Sequence, residues 1–354
     1  MRRLFPALAA GLVALGVLTS CSTAGTGPAA PELGAGVAAV VGNQVVSSEL
    51  LAARVRTAAP DLAQALAAQS HPGGSGGTLD PATLADESRE LLTTAVLHEV
   101  TIEAARRDGI VVAPADVDAQ VEAAGGAQAA AASGYDLPTF RELVSDQIAL
   151  AEIGHREFDR LAVTVDIGTF GSRAAAEQAA GRLATDPGTG ALDALPPQQR
   201  ILDTTLRPGT VRSGERVRSA SSLVFGLPGR TVSISGPSDS SPGTPAPDPT
   251  TQPWTVVRVR DRSLSAPPPG AGTVPASLVD SSTMIQFGLR AIQPLSLELG
   301  VRINPRYGTW DPTQQRVVAP PAAAGTIEPL RVAVPTTPTI TPQPPAAPTL
   351  EPEP

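Results

Sequence analysis

The 354-residue sequence predicts an α+β chain: a mainly helical first domain with short strands, then a small α/β unit. Three observations carry this. A β-branched run, a turn pair and a helix start follow one another in Val37–Val55. Helix caps and apolar stripes recur between Asp80 and Leu161. From Val163 to Arg262 the pattern becomes strand, helix, helix and strand.

Composition narrows the function. Hydrophobic residues make up 42% but aromatics only 3%, so the core is built from Ala, Val and Leu. All 26 basic residues are Arg, and the net charge is −8; loss of Arg2 and Arg3 with a leader would make it −10. Such a surface disfavours nucleic acid and polybasic docking to anionic lipid. The single cysteine allows no internal disulfide. His71, His98 and His155 share no metal-ligand spacing, and there is no P-loop, no dinucleotide fingerprint and no G-x-S-x-G elbow.

Met1–Arg3 is a positive n-region and Leu4–Leu18 an apolar run of signal-peptide length. It ends in Leu18-Thr19-Ser20-Cys21, which resembles the bacterial lipobox. The resemblance implies a signal peptide over 1–21 and a diacylglyceryl group on the Cys21 thiol, with no other cofactor. Two acyl chains suffice for stable anchoring at the outer face of the cytoplasmic membrane. Residues 22–36 read as a flexible Gly/Ala/Pro/Thr tether.

Val37–Val41 reads as a strand, Gly42-Asn43 as a turn and Gln44–Val46 as renewed strand. Ser47 is a helix N-cap, with Leu51, Val55 and Ala58 on one helical face. Ala58–Ala68 continues as helix and His71–Gly77 as loop. Asp80-Pro81 caps a helix that runs to Asp108, where Gly109 stops it. A helix follows in Gly109–Glu122, on which Asp116 and Asp118 face solvent. Gly125–Gly134 reads as a small-residue loop, and Leu137–Leu161 as the last long helix of this region.

The wording of two stretches adds to this. A-x-V-V-G-N-Q-V-V-S-x-x-E-L, ending in Glu49-Leu50, and G-I-V-V-A-P-A-D-V-D-A-Q-V-E resemble the SurA/PrsA-type extracytoplasmic foldases. Gly42 and Asn43 stand in swapped order relative to that family. The resemblance implies a SurA-like N-terminal chaperone domain over 37–161.

Val163–Phe170 reads as a strand, Ser172–Thr185 as a helix and Leu192–Leu202 as a short helix. Ser222–Gly236 and Pro253–Arg262 resemble the parvulin prolyl-isomerase pattern, with a Pro/Ser/Asp insertion between them. The parvulin-like unit over 163–262 is degenerate: parvulins carry histidines in their first and last strands, and none exists after His155. Asp166 could mimic the acidic group of the parvulin site, its plainer role being a surface carboxylate, and Trp254 reads as a strand-start aromatic, a candidate client-facing residue whose plainer role is packing.

Residues 263–275 read as a linker. Ala276–Leu299 is helical with a break near Pro294, and Gly300–Trp310 forms a strand and turn. The resemblance implies that 276–318 returns to pair near Val37–Val41, with the parvulin-like domain inserted. Tyr307 and Trp310 are then core plugs or client-facing aromatics. Residues 319–354 read as a disordered Pro/Thr-rich tail and a candidate for O-glycosylation.

The sequence therefore points to a membrane-anchored extracytoplasmic chaperone whose partners are unfolded or nascent exported proteins, with prolyl isomerase catalysis lost. Its rivals are a divergent parvulin-type isomerase and a dedicated envelope adaptor. The oligomeric state is not legible.

Overall fold

The computed structural model describes residues 31–69, 80–186, 188, 190–210, 218–236, 253–268, 270, 272–320 and 325–330. Among them the chain is α+β, with sheets of three and five strands and one two-stranded ribbon.

β1 (Val37–Val41) and β2 (Gln44–Ser47) form an antiparallel hairpin turned at Gly42, whose φ is +58°. The Ser47 hydroxyl accepts the Leu50 amide at 3.0 Å and opens α1 (Ser48–Gln69). α2 (Pro81–Arg107) starts on Asp80, whose carboxylate accepts the Ala82 and Thr83 amides. α3 (Pro114–Ala124), α4 (Gly126–Ala132) and α5 (Leu137–Phe158) follow. The stretch read as a loop over Gly125–Gly134 thus contains a helix. Its alanines have the highest helix propensity, Gly125 turns the chain at φ +110°, and Ala130 is buried.

The second unit is built on a sheet of order β10-β5-β6-β3-β4. β3 (Ala162–Phe170) leads to α6 (Arg173–Thr185), which is capped by Ser172, and then to a single helical turn, α7 (Gly190–Asp193). The helix expected over Leu192–Leu202 is replaced by a short turn and β4 (Arg200–Leu206). Pro196-Pro197 ends the helix, and β-branched Ile201, Thr204 and Thr205 pair with β3. β5 (Thr231–Ser235) and β6 (Trp254–Ser263) complete the consecutive strands. The insertion between them lies mostly outside the described residues.

The stretch expected to be a free linker is tied down. The Ala266 amide donates to Arg160 O at 3.0 Å, Val274 to Gly209 O at 2.9 Å, and Ala276 to the Asp159 carboxylate at 3.0 Å. α8 (Ser281–Ala291), capped by Asp280, and α9 (Gln293–Leu299) are separated at Ile292, so Pro294 sits in the first turn of a new helix. β7 (Val301–Ile303) then pairs antiparallel with β1, Ala39 opposite Ile303 and Val41 opposite Val301. β8 (Thr309–Asp311) and β9 (Arg316–Val318) form the ribbon. The tail expected to be disordered from Ala319 contains a further strand, β10 (Thr326–Pro329), on the outer edge of β5. Ile327 and Leu330 supply the apolar contacts that a purely Pro/Thr tail lacks.

α5 and α8 join the two units. Leu150 and Ile153 of α5, with Ala291 of α8 and the adjoining Ile292, belong to the core under β1. Phe158, Met284 and Phe287 belong to the core of the second sheet, where Phe158 and Phe287 meet edge to face at 5.2 Å. The helices cross at glycines. A Cβ on Gly154 would lie 2.5 Å from Met284 O, and one on Gly288 would overlap Leu150 O.

Alanine at an ordinary helical glycine gains about 1 kcal/mol of helix propensity. Here the backbones would have to separate, so Gly288→Ala is expected to destabilise the protein by about 3 kcal/mol. Chemical denaturation checks this; a stabilised G288A protein would refute the close crossing.

Candidate functional site

Two recesses open between α2 and α5. One, of about 440 Å³, is lined by Ile102, Ala105, Ile110, Val111 and Ser145; the other, of about 500 Å³, by His98, Pro138 and Glu142. They share Ile102, Ser145 and Asp146 and form one groove. Ile102 is 48% exposed and Val111 89% exposed, so the groove presents apolar surface to solvent. At its floor both Asp146 oxygens lie on His98 Nδ1, at 2.8 and 3.0 Å. The Asp146 hydrogen bond outweighs burial and raises the His98 pKa above the ordinary imidazole value, with Glu142 and Glu99 adding to it. Burial pushes the Asp146 carboxyl up, opposed by His98. Arg54 of α1 reaches Glu142 at 2.6 Å beside the pair.

A third recess, of about 550 Å³, lies on the returning C-terminal segment among Leu297, Val301, Ile303, Pro305, Trp310 and Pro320. Trp310 is half-buried, and its buried indole N–H has no acceptor among the described residues. Tyr307 packs on the same core, with the Arg306 guanidinium 4.4 Å from its ring centroid.

The second unit is occupied by charge. Asp166 stands opposite Arg258 across β3 and β6 and is fully buried, not a surface carboxylate. Its Oδ2 accepts Arg258 Nε and Arg260 Nε, each at 2.7 Å, and its Oδ1 accepts the Asp203 amide at 2.8 Å. Arg258, 1% exposed, also donates to Gly188 O at 2.8 Å and pins the loop between α6 and α7. Burial pushes the Asp166 pKa up, but Arg260, the Asp203 amide and Arg258 together outweigh it and hold it below the ordinary carboxylate range. Every oxygen of Asp166 is engaged, so it offers no free base. Where the two strands meet further along, Thr169 faces Thr255 and Phe170 faces Trp254.

The candidate client-facing residues do not converge. Trp254 is 7% exposed in the core beside Phe170 and Val256, under the Arg173 guanidinium at 5.4 Å, so it is a packing residue. Tyr307 and Trp310 lie together in the N-terminal module. Leu18, Thr19, Ser20 and Cys21 lie outside the described residues. Sequence reasoning missed the His98–Asp146 pair, which joins two helices and leaves no local signal. Asp166–Arg258 left a usable one: a charge inside each of two Val-rich strands. Among the described residues no group of three or more His, Cys, Asp or Glu side chains is placed to hold a metal. None of the described helices is long and apolar enough to cross a membrane.

The geometry defines an α+β protein with an apolar-grooved helical module and a second sheet closed by buried ion pairs. No family model and no curated protein matches the chain. Among solved structures it is similar to the foldase protein PrsA from Lactococcus lactis, at 12% identity over 76% of this chain and 94% of that chain, TM-score 0.24. It is also similar to PrsA from Streptococcus pneumoniae, at 10% identity over 72% and 89%, TM-score 0.20.

Asp166→Ala removes the carboxylate partner of the buried Arg258 guanidinium and of the half-buried Arg260, and is expected to cost about 3 kcal/mol. Because its folded pKa is lowered, the Asp166 contribution is present above the ordinary carboxylate range and lost as pH falls through the folded value. Denaturation curves at neutral and acidic pH should converge between wild type and variant; a constant gap would contradict this.

The sign is opposite at His98. Its raised folded pKa adds stability that is full below the ordinary imidazole value and is lost as pH rises through the folded value. His98→Gln should remove this pH dependence in denaturation midpoints measured from about pH 5 to 9; an unchanged slope would exclude the pair as its source.

Proposed function

We propose that the chain is a lipid-anchored extracytoplasmic chaperone that holds exposed apolar segments of unfolded exported proteins, without prolyl isomerase catalysis. The observation that carries this is the α2–α5 groove, with Ile102 and Val111 exposed along it. Apolar area that a folded protein leaves in contiguous recesses marks a binding surface. Burial of client side chains there is sequence-tolerant, so binding is broad and weak. The recess beside Leu297, Val301 and Trp310 adds a second apolar contact surface. The engaged state of Asp166 and the lack of any histidine after His155 in the sequence support this reading. The sequence resemblance to the foldases and the lipobox-like tetrapeptide support the client class and an anchor at Cys21 on the outer face of the membrane.

The test is light scattering of a chemically unfolded exported protein, with the chain from Ser22 to Pro354 added. Suppression is expected near stoichiometric amounts, weakened about fivefold or more by Ile102→Glu with Val111→Glu, given roughly 1.5 kcal/mol per buried aliphatic side chain. The same protein should not accelerate isomerisation of an X-Pro peptide. A folded protein that suppresses nothing would favour the dedicated adaptor instead.

A further inference from the structure

The groove between α2 and α5 is apolar along Ile102, Ile110 and Val111, yet one ring nitrogen opens into it. The His98 side chain is 24% exposed and that of Asp146 14% exposed. Nδ1 of the ring is taken by both Asp146 oxygens. Nε2, on the far side of the ring, makes no hydrogen bond among the described residues and is not one of their buried unpartnered atoms. His98 lines the recess of about 500 Å³, so Nε2 is open to whatever occupies it.

Asp146 decides what Nε2 can do. It keeps a proton on Nδ1 in either charge state of the ring. The imidazolium then donates from Nε2 as well, whereas the neutral ring offers Nε2 only as an acceptor. The Asp146 hydrogen bond, joined by the charges of Asp146, Glu142 and Glu99, outweighs burial and keeps the ring protonated to higher pH than a free imidazole. The cations around the ring are already paired. Arg54 of α1 bonds Glu142 at 2.6 Å, and Arg141 of α5 bonds Asp118 of α3. Tyr135, pushed up by burial, stays neutral well above the imidazole range. Carboxylates thus outnumber cations here, and an anionic ligand is repelled where a neutral acceptor is not.

Ile102 lines both recesses and stands one helical turn beyond His98 on α2, about 6 Å along the axis. Two residues of extended chain span about 6.6 Å. A chain whose carbonyl meets Nε2 therefore lays a side chain two residues away on Ile102.

We propose that His98 is the polar anchor of the groove, its Nε2–H donating to a backbone carbonyl of an extended, uncharged client segment whose apolar side chain rests on Ile102. The proposal rests on the chaperone reading and makes holding pH-dependent. Every sequence carries backbone carbonyls, so the anchor adds affinity without selecting among clients. Holding is full while the ring is protonated. It falls as pH rises through the folded pKa, where Nε2 loses its proton and turns a lone pair toward the carbonyl. Asp146 is the positioning residue, acting through the ring.

The test is binding of a rhodamine-labelled, acetylated and amidated Leu/Val/Ser peptide to the full chain, read by fluorescence anisotropy from about pH 5.5 to 9.5. Affinity should fall about tenfold over this range, the worth of one charge-assisted hydrogen bond. His98→Gln keeps a donor that does not titrate, so its binding should be flat with pH. Binding by His98→Leu should be flat and weak. Asp146→Asn keeps an acceptor for Nδ1 but removes the charge, and should move the fall to lower pH by about one unit. It carries the test should His98→Gln fail to fold. An unchanged fall in His98→Gln, or an unmoved one in Asp146→Asn, would overturn the anchor and leave the chaperone reading standing. Tighter binding of a probe bearing aspartates would make an anion the occupant and overturn it too. A wild-type chain that binds the peptide at no pH would overturn both.

Discussion

The arrangement depends on one close approach, the backbone contact of α5 and α8 at Gly154 and Gly288. Without side chains at these points, each helix presents its carbonyl surface directly to the other, and residues on either side reach into two cores at once. From this crossing α8 and α9 carry the chain back to β1, where β7 becomes the third strand. Arg290 at the end of α8 donates to Thr313 O at 2.9 Å, and Gln293 at the start of α9 donates to Pro312 O at 2.7 Å. The ribbon that borders the Trp310 recess is therefore positioned from the same helix pair. Gly226 completes the contact from the second unit, since a Cβ there would strike the Gln293 side chain.

The second unit solves a different problem. With few aromatics and only arginine as a strong cation, the sheet places a fully buried guanidinium on a fully buried carboxylate. Arginine suits this because its planar fork can serve Asp166 and the Gly188 carbonyl at once. Such a cluster is weak evidence of added stability, but it is costly to leave half-paired. It also decides the chemistry. A carboxylate with its oxygens already taken by two arginines and an amide is held ionised and cannot trade protons at neutral pH.

Much of this was legible in the sequence where the signal is local. Gly42-Asn43, Ser47, Asp80-Pro81 and the double proline at Pro196-Pro197 act on the neighbouring backbone, and a turn or cap can be read from them. The double proline still went unread, because Leu192–Leu202 looks helical when counted by apolar residues alone. α4 was hidden because an Ala/Gly run has no apolar periodicity. β10 was hidden because a tetrapeptide in a Pro/Thr tract becomes a strand only when an edge is offered to it. The groove follows the same logic: Ile102 and Asp146 lie on different helices, and only their packing makes a recess. Cys21 is the reverse case, a residue whose reading rests wholly on sequence.

Among the described residues the chain crosses between its two units three times, from α5 to β3, from β6 to α8 and from β9 to β10. Each crossing is held. Arg262 donates to Phe225 O beside Glu157 of α5, Ala276 donates to Asp159, and Gly325 donates to Asp311. Two bodies joined by a single strand of chain can hinge; two bodies joined at three tied crossings and one shared helix pair cannot do so without breaking core contacts. On the proposed chaperone reading, a client would thus meet grooves of fixed shape, and adaptation to different sequences would come from the client. That matches shallow aliphatic recesses better than a closing clamp. The third crossing is the weakest, because a four-residue strand and one amide hold it. Any loosening of the two units should begin at β10.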